Sequence, residues 1–217
     1  MSDVMMTPKQ IIAARVAKEM KDGDVVNLGI GLPTLVPDYL PKDVNVILQS
    51  ENGYIGLGPA NDEIDMDLVN AGGQPAGIIP GGAFFDSFFS FSLIRGGHVD
   101  VTVLGGLEVD AKGNLANWMV PGKMVPGMGG AMDLVTGAKK VIVAMEHCSK
   151  KGTPKILEEC TLPLTGKGVV DLIVTELAVF SVTEEGLVLE DLQEGVDLET
   201  VREKTAASFK VKEFIGC

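Results

Sequence analysis

The chain has 217 residues, 46% of them hydrophobic, which is enough to bury a sizeable core as one α/β domain over residues 1–217. Its formal net charge of -12 argues against nucleic acid and anionic membranes as partners. No apolar run approaches the roughly 18 residues of a membrane span, and no linker-like stretch divides the chain into two domains.

The first predicted element is a helix that begins after Thr7. The sequence Thr7-Pro8-Lys9-Gln10 combines an N-cap threonine, a proline at the first helical position and a glutamine that completes a capping box. We expect Gly23 to end this helix.

A strand is predicted next over Asp24–Leu28, followed by Gly29-Ile30-Gly31-Leu32-Pro33 and a helix from about Thr34. A strand, two glycines and a helix start resemble a dinucleotide-binding turn, because glycines let backbone N–H groups approach a phosphate or an oxyanion. Pro33 occupies the region of a possible third glycine, and no acidic strand end follows at the usual interval. These departures exclude a nicotinamide site, and the absence of GxxxxGK[ST] excludes a P-loop.

The stretch around Glu51 combines a strand with a polar turn. Residues Val44–Leu48 predict a buried strand, and Gln49-Ser50-Glu51-Asn52-Gly53 predict the turn that ends it. Glu51 therefore follows the C-terminal end of a strand, which is the edge where open α/β sheets bind ligands. Ser50 and Glu51 could alternatively do no more than cap the turn.

Two side-chain clusters follow this turn. The first is an acidic patch, interpreted as a solvated surface, of Asp62, Glu63, Asp65 and Asp67. The second holds five of the eight phenylalanines: Phe84, Phe85, Phe88, Phe89 and Phe91. If Asp86 or Ser87 caps a helix, these rings cover more than one helix face, which predicts burial either in the core or against another subunit.

The rest of the chain predicts further strands of an α/β sheet and one hairpin. A short strand and turn are predicted over Ile78–Gly82, and the other strands over Asp100–Gly105, Lys140–Met145, Val169–Val174 and Ala178–Val182. A hairpin is expected over Leu107–Asn117 and a C-terminal helix over about Leu198–Ala207. Together these elements indicate a single α/β domain with a mainly parallel sheet flanked by helices.

A glycine-rich loop over Val120–Gly130 leads into a predicted helix start at Ala131. Free backbone N–H groups at a helix N-terminus suit an oxyanion or an acyl carbonyl. A purely structural loop would give the same sequence, so both interpretations stay open here.

The histidines and cysteines show no pattern of a metal site or a catalytic triad. His98 and His147 stand alone, so we interpret both as structural or polar contacts. Cys148 lacks a visible activating partner and is interpreted as a buried bystander. Together with Cys160 and Cys217 it forms an odd, scattered set, which favours a reducing cytoplasm, and the N-terminus has no secretion-signal pattern.

Four stretches of the sequence together resemble one enzyme family. They are Asn27–Pro33 (NLGIGLP), Ser50–Gly53 (SENG), Ile94–Asp100 (IRGGHVD) and Ala116–Leu134 (ANWMVPGKMVPGMGGAMDL). In this order they resemble the family I coenzyme A transferases, specifically the B subunit of the 3-oxoacid or butyrate-acetoacetate type. The resemblance runs from about Pro8 to Phe209 and extends to the C-terminal half of the fused succinyl-CoA:3-oxoacid enzyme.

The resemblance implies a NagB/RpiA-like fold, a coenzyme A thioester as substrate, no permanently bound cofactor or metal, and an A subunit as partner in a heterotetramer. It implies that Glu51 is the nucleophile and that an oxyanion or CoA is held by Asn27, Gly29, Gly31, Gly130 and Ala131. One departure is Gly73, which follows Asn70-Ala71-Gly72 where some relatives have a lysine. This chain therefore has no lysine at that position to contact CoA.

The implied chemistry agrees with the residues. A glutamate is ionised at neutral pH and needs no general base to attack an acyl-CoA. The expected product is an anhydride that free CoA converts to a glutamyl-CoA thioester, and a short-chain carboxylic or 3-oxo acid then takes the CoA. Two alternatives stay open: an isomerase-like or ligand-binding relative with Glu51 as a proton-transfer base, and a non-catalytic scaffold.

Overall fold

The computed structural model describes residues 6–60, 65, 67–123, 125 and 127–213. Asp62, Glu63 and Cys217, which the sequence analysis singled out, lie outside these residues. Asp65 and Asp67 of the predicted acidic patch are exposed, in agreement with a solvated surface.

The described residues form helices on both sides of a large sheet. The helices are α1 (Pro8–Ala17), α2 (Ser87–Arg95), α3 (Ala131–Gly137) and α4 (Leu198–Lys204), with a 3₁₀ helix over Leu32–Tyr39. The strands are β1 (Val25–Leu28), β2 (Ile47–Ser50), β3 (Tyr54–Gly58), β4 (Gly77–Phe84), β5 (Val101–Leu104), β6 (Glu108–Asp110), β7 (Leu115–Ala116), β8 (Lys140–Ala144), β9 (Ile156–Leu157), β10 (Leu172–Val174), β11 (Ala178–Thr183), β12 (Gly186–Leu192) and β13 (Phe209–Val211).

The main sheet has ten strands in the order β13-β12-β11-β10-β8-β5-β1-β2-β3-β4. Its centre, from β10 to β2, is parallel, and the direction reverses at β2 through an antiparallel hairpin with β3. The predicted hairpin is present as β6 and β7, which pair with β9 in a separate three-stranded sheet. The prediction of a mainly parallel α/β sheet flanked by helices is confirmed, and Glu51 follows the last strand of the parallel centre.

Two apolar clusters cover the two faces of the sheet. Along β8, Val141 and Val143 join one cluster, whereas Ile142 and Ala144 join the other. Because successive side chains of a strand point to opposite faces, these clusters lie on opposite sides of the sheet. The first cluster includes residues of α2 and α3, and the second includes the buried face of α1. The site described below lies on the α2 and α3 side.

Several predicted boundaries were wrong. The capping box at Thr7 is present, but α1 ends at Ala17 and not at Gly23. The helix expected from Thr34 is a 3₁₀ helix that begins at Leu32 and contains Pro37. Proline has no N–H for an α-helical hydrogen bond, which explains the tighter 3₁₀ geometry.

The strand ends and lengths also differ from the prediction. Strand β2 begins at Ile47, since the preceding Val44 N–H donates to Pro41 O in a turn. The stretch expected as a short strand and turn over Ile78–Gly82 is the middle of the eight-residue β4.

The phenylalanine cluster is largely outside the core of this chain. Asp86 caps α2 by accepting from the Phe89 N–H at 2.8 Å, so the helix expected there is present. Phe88 is 80% exposed and Phe84 61%, which makes the core interpretation wrong for these rings. Burial against another subunit stays a prediction. None of the described helices is long and apolar enough to cross a membrane.

Candidate active site

Glu51 lies in the turn between β2 and β3 and is half-buried. The turn depends on Gly53, whose φ is +133° and whose hypothetical Cβ would lie 2.5 Å from the Phe85 carbonyl oxygen. The Gly53 carbonyl in turn accepts from the Phe85 N–H at 2.9 Å. Only glycine fits this close approach, so the last residue of SENG fixes the turn that presents the glutamate.

Asn27 binds the Glu51 carboxylate directly. The Asn27 Nδ2 donates to Glu51 Oε2 at 3.0 Å and to Gln49 Oε1 at 2.7 Å. This contact follows from the parallel register, which pairs Asn27 of β1 with Gln49 of β2, two residues before the glutamate. The structure thus brings together Asn27 and Glu51, which are 24 positions apart in the sequence.

Gln49 is held in turn by helix α2. Its Nε2 donates to Ser90 Oγ at 3.0 Å, and both residues are almost fully buried. Burying an amide is costly unless its polar atoms find partners, and these contacts supply them. The carboxylate therefore stands at the end of a fixed buried network.

Gly130 lies against the same glutamate. It is the N-cap residue of α3, and a Cβ at this position would lie 3.4 Å from Glu51 Cγ and 3.3 Å from Phe91 Cε1. Among the described residues, the Gly130 N–H makes no hydrogen bond to another backbone group. The Ala131 N–H makes a long contact of 3.4 Å with Met128 O. Within the described part of the chain, the Gly130 N–H is thus the freer of the two predicted donors.

The position of α3 is fixed by its packing on α2. Arg95 Nε donates to Asp133 Oδ1 at 2.7 Å across the two helices. Gly137 lets them approach closely, since a Cβ there would lie 2.3 Å from Ile94 O. These contacts place the N-terminus of α3, and Gly130 with it, beside the β2–β3 turn.

The two early glycines are needed by the backbone after β1. A Cβ at Gly29 would lie 3.1 Å from Val103 O, and the Gly29 N–H donates to the same oxygen at 2.8 Å, so this donor is already used. Gly31 has a φ of +88°, which favours glycine, and its carbonyl accepts from the Thr34 N–H and hydroxyl. Both glycines therefore have structural reasons to be present.

A second turn, near Gly73, is attached to SENG. Ala71 N–H donates to Ser50 Oγ at 3.2 Å, and Asn52 Nδ2 donates to Val69 O at 2.8 Å. Gly73 has a φ of +75°, so a lysine at this position would have a strained backbone. The turn in this chain is therefore built for glycine.

A cavity of about 590 Å³ lies beside these two turns, with mainly apolar walls. Gln49 and Ser50 form part of its wall, although Glu51 does not. Ile30, Ala71 and Gly72 line it from the loops described above. The cavity offers volume for an organic substrate next to the strand that carries Glu51.

The histidines and cysteines do not join this site. His147 is fully buried, and its two ring nitrogens form hydrogen bonds of 2.9 Å with the hydroxyls of Thr175 and Thr205. These bonds confirm its interpretation as a polar contact. Burial, with Lys204 and Lys155 as smaller causes, lowers the pKa of His147 to about 4. Burial also raises the pKa of Cys148, as expected of a bystander and not of a nucleophile.

Three buried polar residues around Asn27 were not predicted: Gln49 as its partner, Ser90 beyond Gln49, and Thr102 on the neighbouring strand. The signal available in the sequence is a polar residue at one position of an otherwise apolar strand, as in Val-Val-Asn-Leu and Val-Thr-Val-Leu. A buried amide or hydroxyl in such a place needs a partner, but the sequence does not name it.

Comparison with known proteins identifies the family. Residues 9–204 match the family model described as Coenzyme A transferase. The chain belongs to this family. The resemblance seen in the sequence is thereby confirmed, and so is the prediction of a CoA-transferase whose substrate is a CoA thioester.

Individual relatives of the CoA-transferase family agree with this result. The beta subunit of the acetate CoA-transferase of Escherichia coli (strain K12) is 62% identical over 206 residues, which is 95% of each chain. The B subunit of the succinyl-CoA:3-ketoacid coenzyme A transferase of Helicobacter pylori (strain ATCC 700392 / 26695) is 54% identical over 94% of this chain and 99% of its own. The apoenzyme of the acyl-CoA transferase YdiF from Escherichia coli O157:H7 superposes with a TM-score of 0.76 at 24% identity. This last match covers 97% of our chain but 43% of YdiF, and it shows the fold alone.

Proposed function

We propose that this chain is the catalytic subunit of a CoA-transferase that moves CoA between an acyl-CoA and a short-chain carboxylic or 3-oxo acid. The observation that carries the proposal is the Glu51 carboxylate, which Asn27 holds at 3.0 Å beside the backbone of Gly130. A nucleophile with a backbone N–H donor close by is what acyl transfer requires.

The reaction proceeds through an enzyme-bound thioester. Glu51 attacks the acyl-CoA carbonyl and expels CoA thiolate, which leaves an acyl-glutamyl anhydride. The thiolate then attacks the glutamyl carbonyl of this anhydride, which releases the first carboxylate and forms glutamyl-CoA. The acceptor acid reverses these two steps, so the chemistry is ping-pong and consumes no ATP.

The residues around Glu51 have separate roles in this proposal. Asn27 orients the carboxylate and, once the glutamyl carbonyl has formed, donates a hydrogen bond to its oxygen. The Gly130 N–H faces the tetrahedral oxyanion, with Ala131 as a weaker second donor. One such donor contributes on the order of 3 kcal/mol to transition-state stabilisation. Gly29 and Gly31 shape the loop by which CoA enters, and the cavity beside Ser50 accommodates the organic part of the substrate.

The enzyme is further proposed to need a second polypeptide. Two relatives carry names that describe them as a beta or a B subunit. The exposed rings of Phe84, Phe88 and Phe89 lie on and next to α2, whose inner face carries Ser90 of the site. We place the A subunit on this aromatic surface, in a heterotetramer, and expect the assembly in the cytoplasm.

The proposal is tested by locating the covalent intermediate. The chain is co-expressed with its A subunit, incubated with acyl-CoA without an acceptor, and analysed by intact mass and by digestion. We expect CoA on Glu51 in the wild type and none in Glu51→Gln, because the amide is nearly isosteric but cannot form an anhydride. A label on another residue, or full exchange by Glu51→Gln, would contradict the mechanism.

Two further variants make the test sharper. Glu51→Asp withdraws the carboxylate by one methylene, and a misplacement of about 1 Å should lower turnover about 100-fold. Glu194→Gln, at an exposed position, makes the same chemical change away from the site and should leave exchange unaffected. A panel of carboxylic acids against acetyl-CoA then identifies the donor and acceptor.

A further inference from the structure

Three buried polar side chains form a row across the centre of the sheet. The register pairs Asn27 of β1 with Gln49 of β2 on one side and with Thr102 of β5 on the other. Directly paired residues of neighbouring parallel strands point to the same face of the sheet. All three are between 0% and 2% exposed, and this row lies on the side where Ser90 contacts Gln49 and Gly130 approaches Glu51.

Two atoms of this row are unpaired among the described residues. They are Asn27 Oδ1 and Thr102 Oγ1, and both are buried. A buried polar atom without a partner is costly, and here the two belong to residues that the register pairs directly. One is an acceptor and the other can donate, so each offers what the other lacks.

The orientation of the Asn27 amide follows from its other contacts. Gln49 Nε2 donates to Ser90, which turns Gln49 Oε1 toward Asn27 Nδ2. The two protons on that nitrogen are then directed to Gln49 Oε1 and Glu51 Oε2. Since Gln49 and Thr102 flank Asn27 on opposite sides, an amide whose nitrogen faces Gln49 presents its oxygen to the Thr102 side. The reverse orientation would place Asn27 Oδ1 against two acceptors.

We propose that Thr102 is a positioning residue for the transferase reaction, whose hydroxyl donates to Asn27 Oδ1 in the reactive enzyme and so holds Glu51 through the Asn27 amide. A rotation of the threonine side chain about its Cα–Cβ bond directs the hydroxyl along the row. The amide is then fixed from both ends, by Ser90 and Gln49 on one side and by Thr102 on the other. This inference rests on Glu51 being the nucleophile.

The test compares Thr102→Val with Thr102→Ser in the complex with the A subunit. Valine keeps the shape and removes the hydroxyl, so we expect kcat and the rate of CoA labelling on Glu51 to fall at least tenfold with KM little changed. Serine keeps the hydroxyl and should restore both rates to within about threefold of the wild type. Val101→Ala is the control, because its side chain points to the opposite face and it should lower the melting temperature without slowing the labelling.

The outcomes separate this inference from the proposed function. If the wild type is not labelled on Glu51, the proposed function itself fails, and the positioning role fails with it. If the wild type is labelled but Thr102→Val is labelled equally fast, only the positioning role is overturned. If Thr102→Val raises the melting temperature and leaves kcat unchanged, the hydroxyl is an unpaired group without a positioning role, and the proposal is overturned. A loss of activity that serine does not restore would also overturn the proposal.

Discussion

A graded series at Gly130 measures how closely the loop must approach the nucleophile. The backbone at Gly130 has φ and ψ of -81° and 4°, which any residue can adopt. A substitution there therefore acts through contacts and not through backbone strain. An alanine Cβ would lie 3.4 Å from Glu51 Cγ and 3.3 Å from Phe91, slightly inside the usual separation of about 3.5–4.0 Å.

The expected effect grows with the side chain. Alanine requires shifts of a few tenths of an ångström, and turnover should fall less than tenfold. Valine adds methyl groups about 1.5 Å further out, which displaces the carboxylate by about 1 Å and should lower kcat about 100-fold. Circular dichroism should stay native-like for both variants.

The assay is steady-state exchange by the complex, with the rate of Glu51 labelling as a second measurement. Gly105→Ala is the matched control, since among the described residues only the adjacent ones in the chain come within 4 Å of a Cβ at that position. The reasoning would be refuted by a folded Gly130→Val variant with an unchanged rate. It would equally be refuted if alanine were more harmful than valine.

Three other predictions concern stability and assembly. Gly53→Ala places a side chain at a φ of +133° and 2.5 Å from Phe85 O, so the unfolding free energy measured in urea should fall by about 1–3 kcal/mol or more. An unchanged unfolding free energy would contradict the argument that this turn requires glycine. The pKa of His147 is lowered from 6.5 to about 4, so the unfolded chain binds a proton there that the native chain does not. The contribution of His147 to the unfolding free energy should be fully present above pH 6.5 and fall by about 3 kcal/mol toward pH 4. In urea titrations, His147→Gln should reduce this dependence of the unfolding free energy on pH. Phe88→Ser should change the unfolding free energy of the isolated chain by less than about 0.5 kcal/mol, because the ring is exposed there. It should weaken binding to the A subunit by about 1–3 kcal/mol. Unchanged binding would show that the A subunit does not contact Phe88.

The elements with strong local signals could be predicted from the sequence. Thr7 and Gln10 form the expected capping box, and α3 begins at Ala131 as predicted. The position of Glu51 just beyond a strand end was also predictable, since it depends on one apolar run followed by a polar turn. These features depend on residues that are neighbours in the chain, so they can be predicted from a single sequence.

Features that depend on pairing between distant strands could not be predicted in the same way. Strand β3 was missed because Tyr-Ile-Gly-Leu-Gly contains two glycines, which weaken the strand pattern. The link between Asn27 and Gln49 depends on the register of β1 and β2, and Thr102 enters the row only through β5. The exposure of Phe88 could not be predicted either, because an apolar helix face has the same sequence pattern whether it packs on the core or on a partner.

The hairpin that carries Glu51 also determines where the chain can change length. Ser50 pairs with Tyr54 and Gln49 with Ile55, so one residue inserted between 47 and 50 would turn the glutamate to the opposite face of the sheet. The turn over 41–43 is exposed and lies outside the sheet, and an insertion there leaves the register intact. In chimeras between transferases, crossover points and loop grafts therefore belong in 41–43, whereas 47–53 must be exchanged as a unit of constant length.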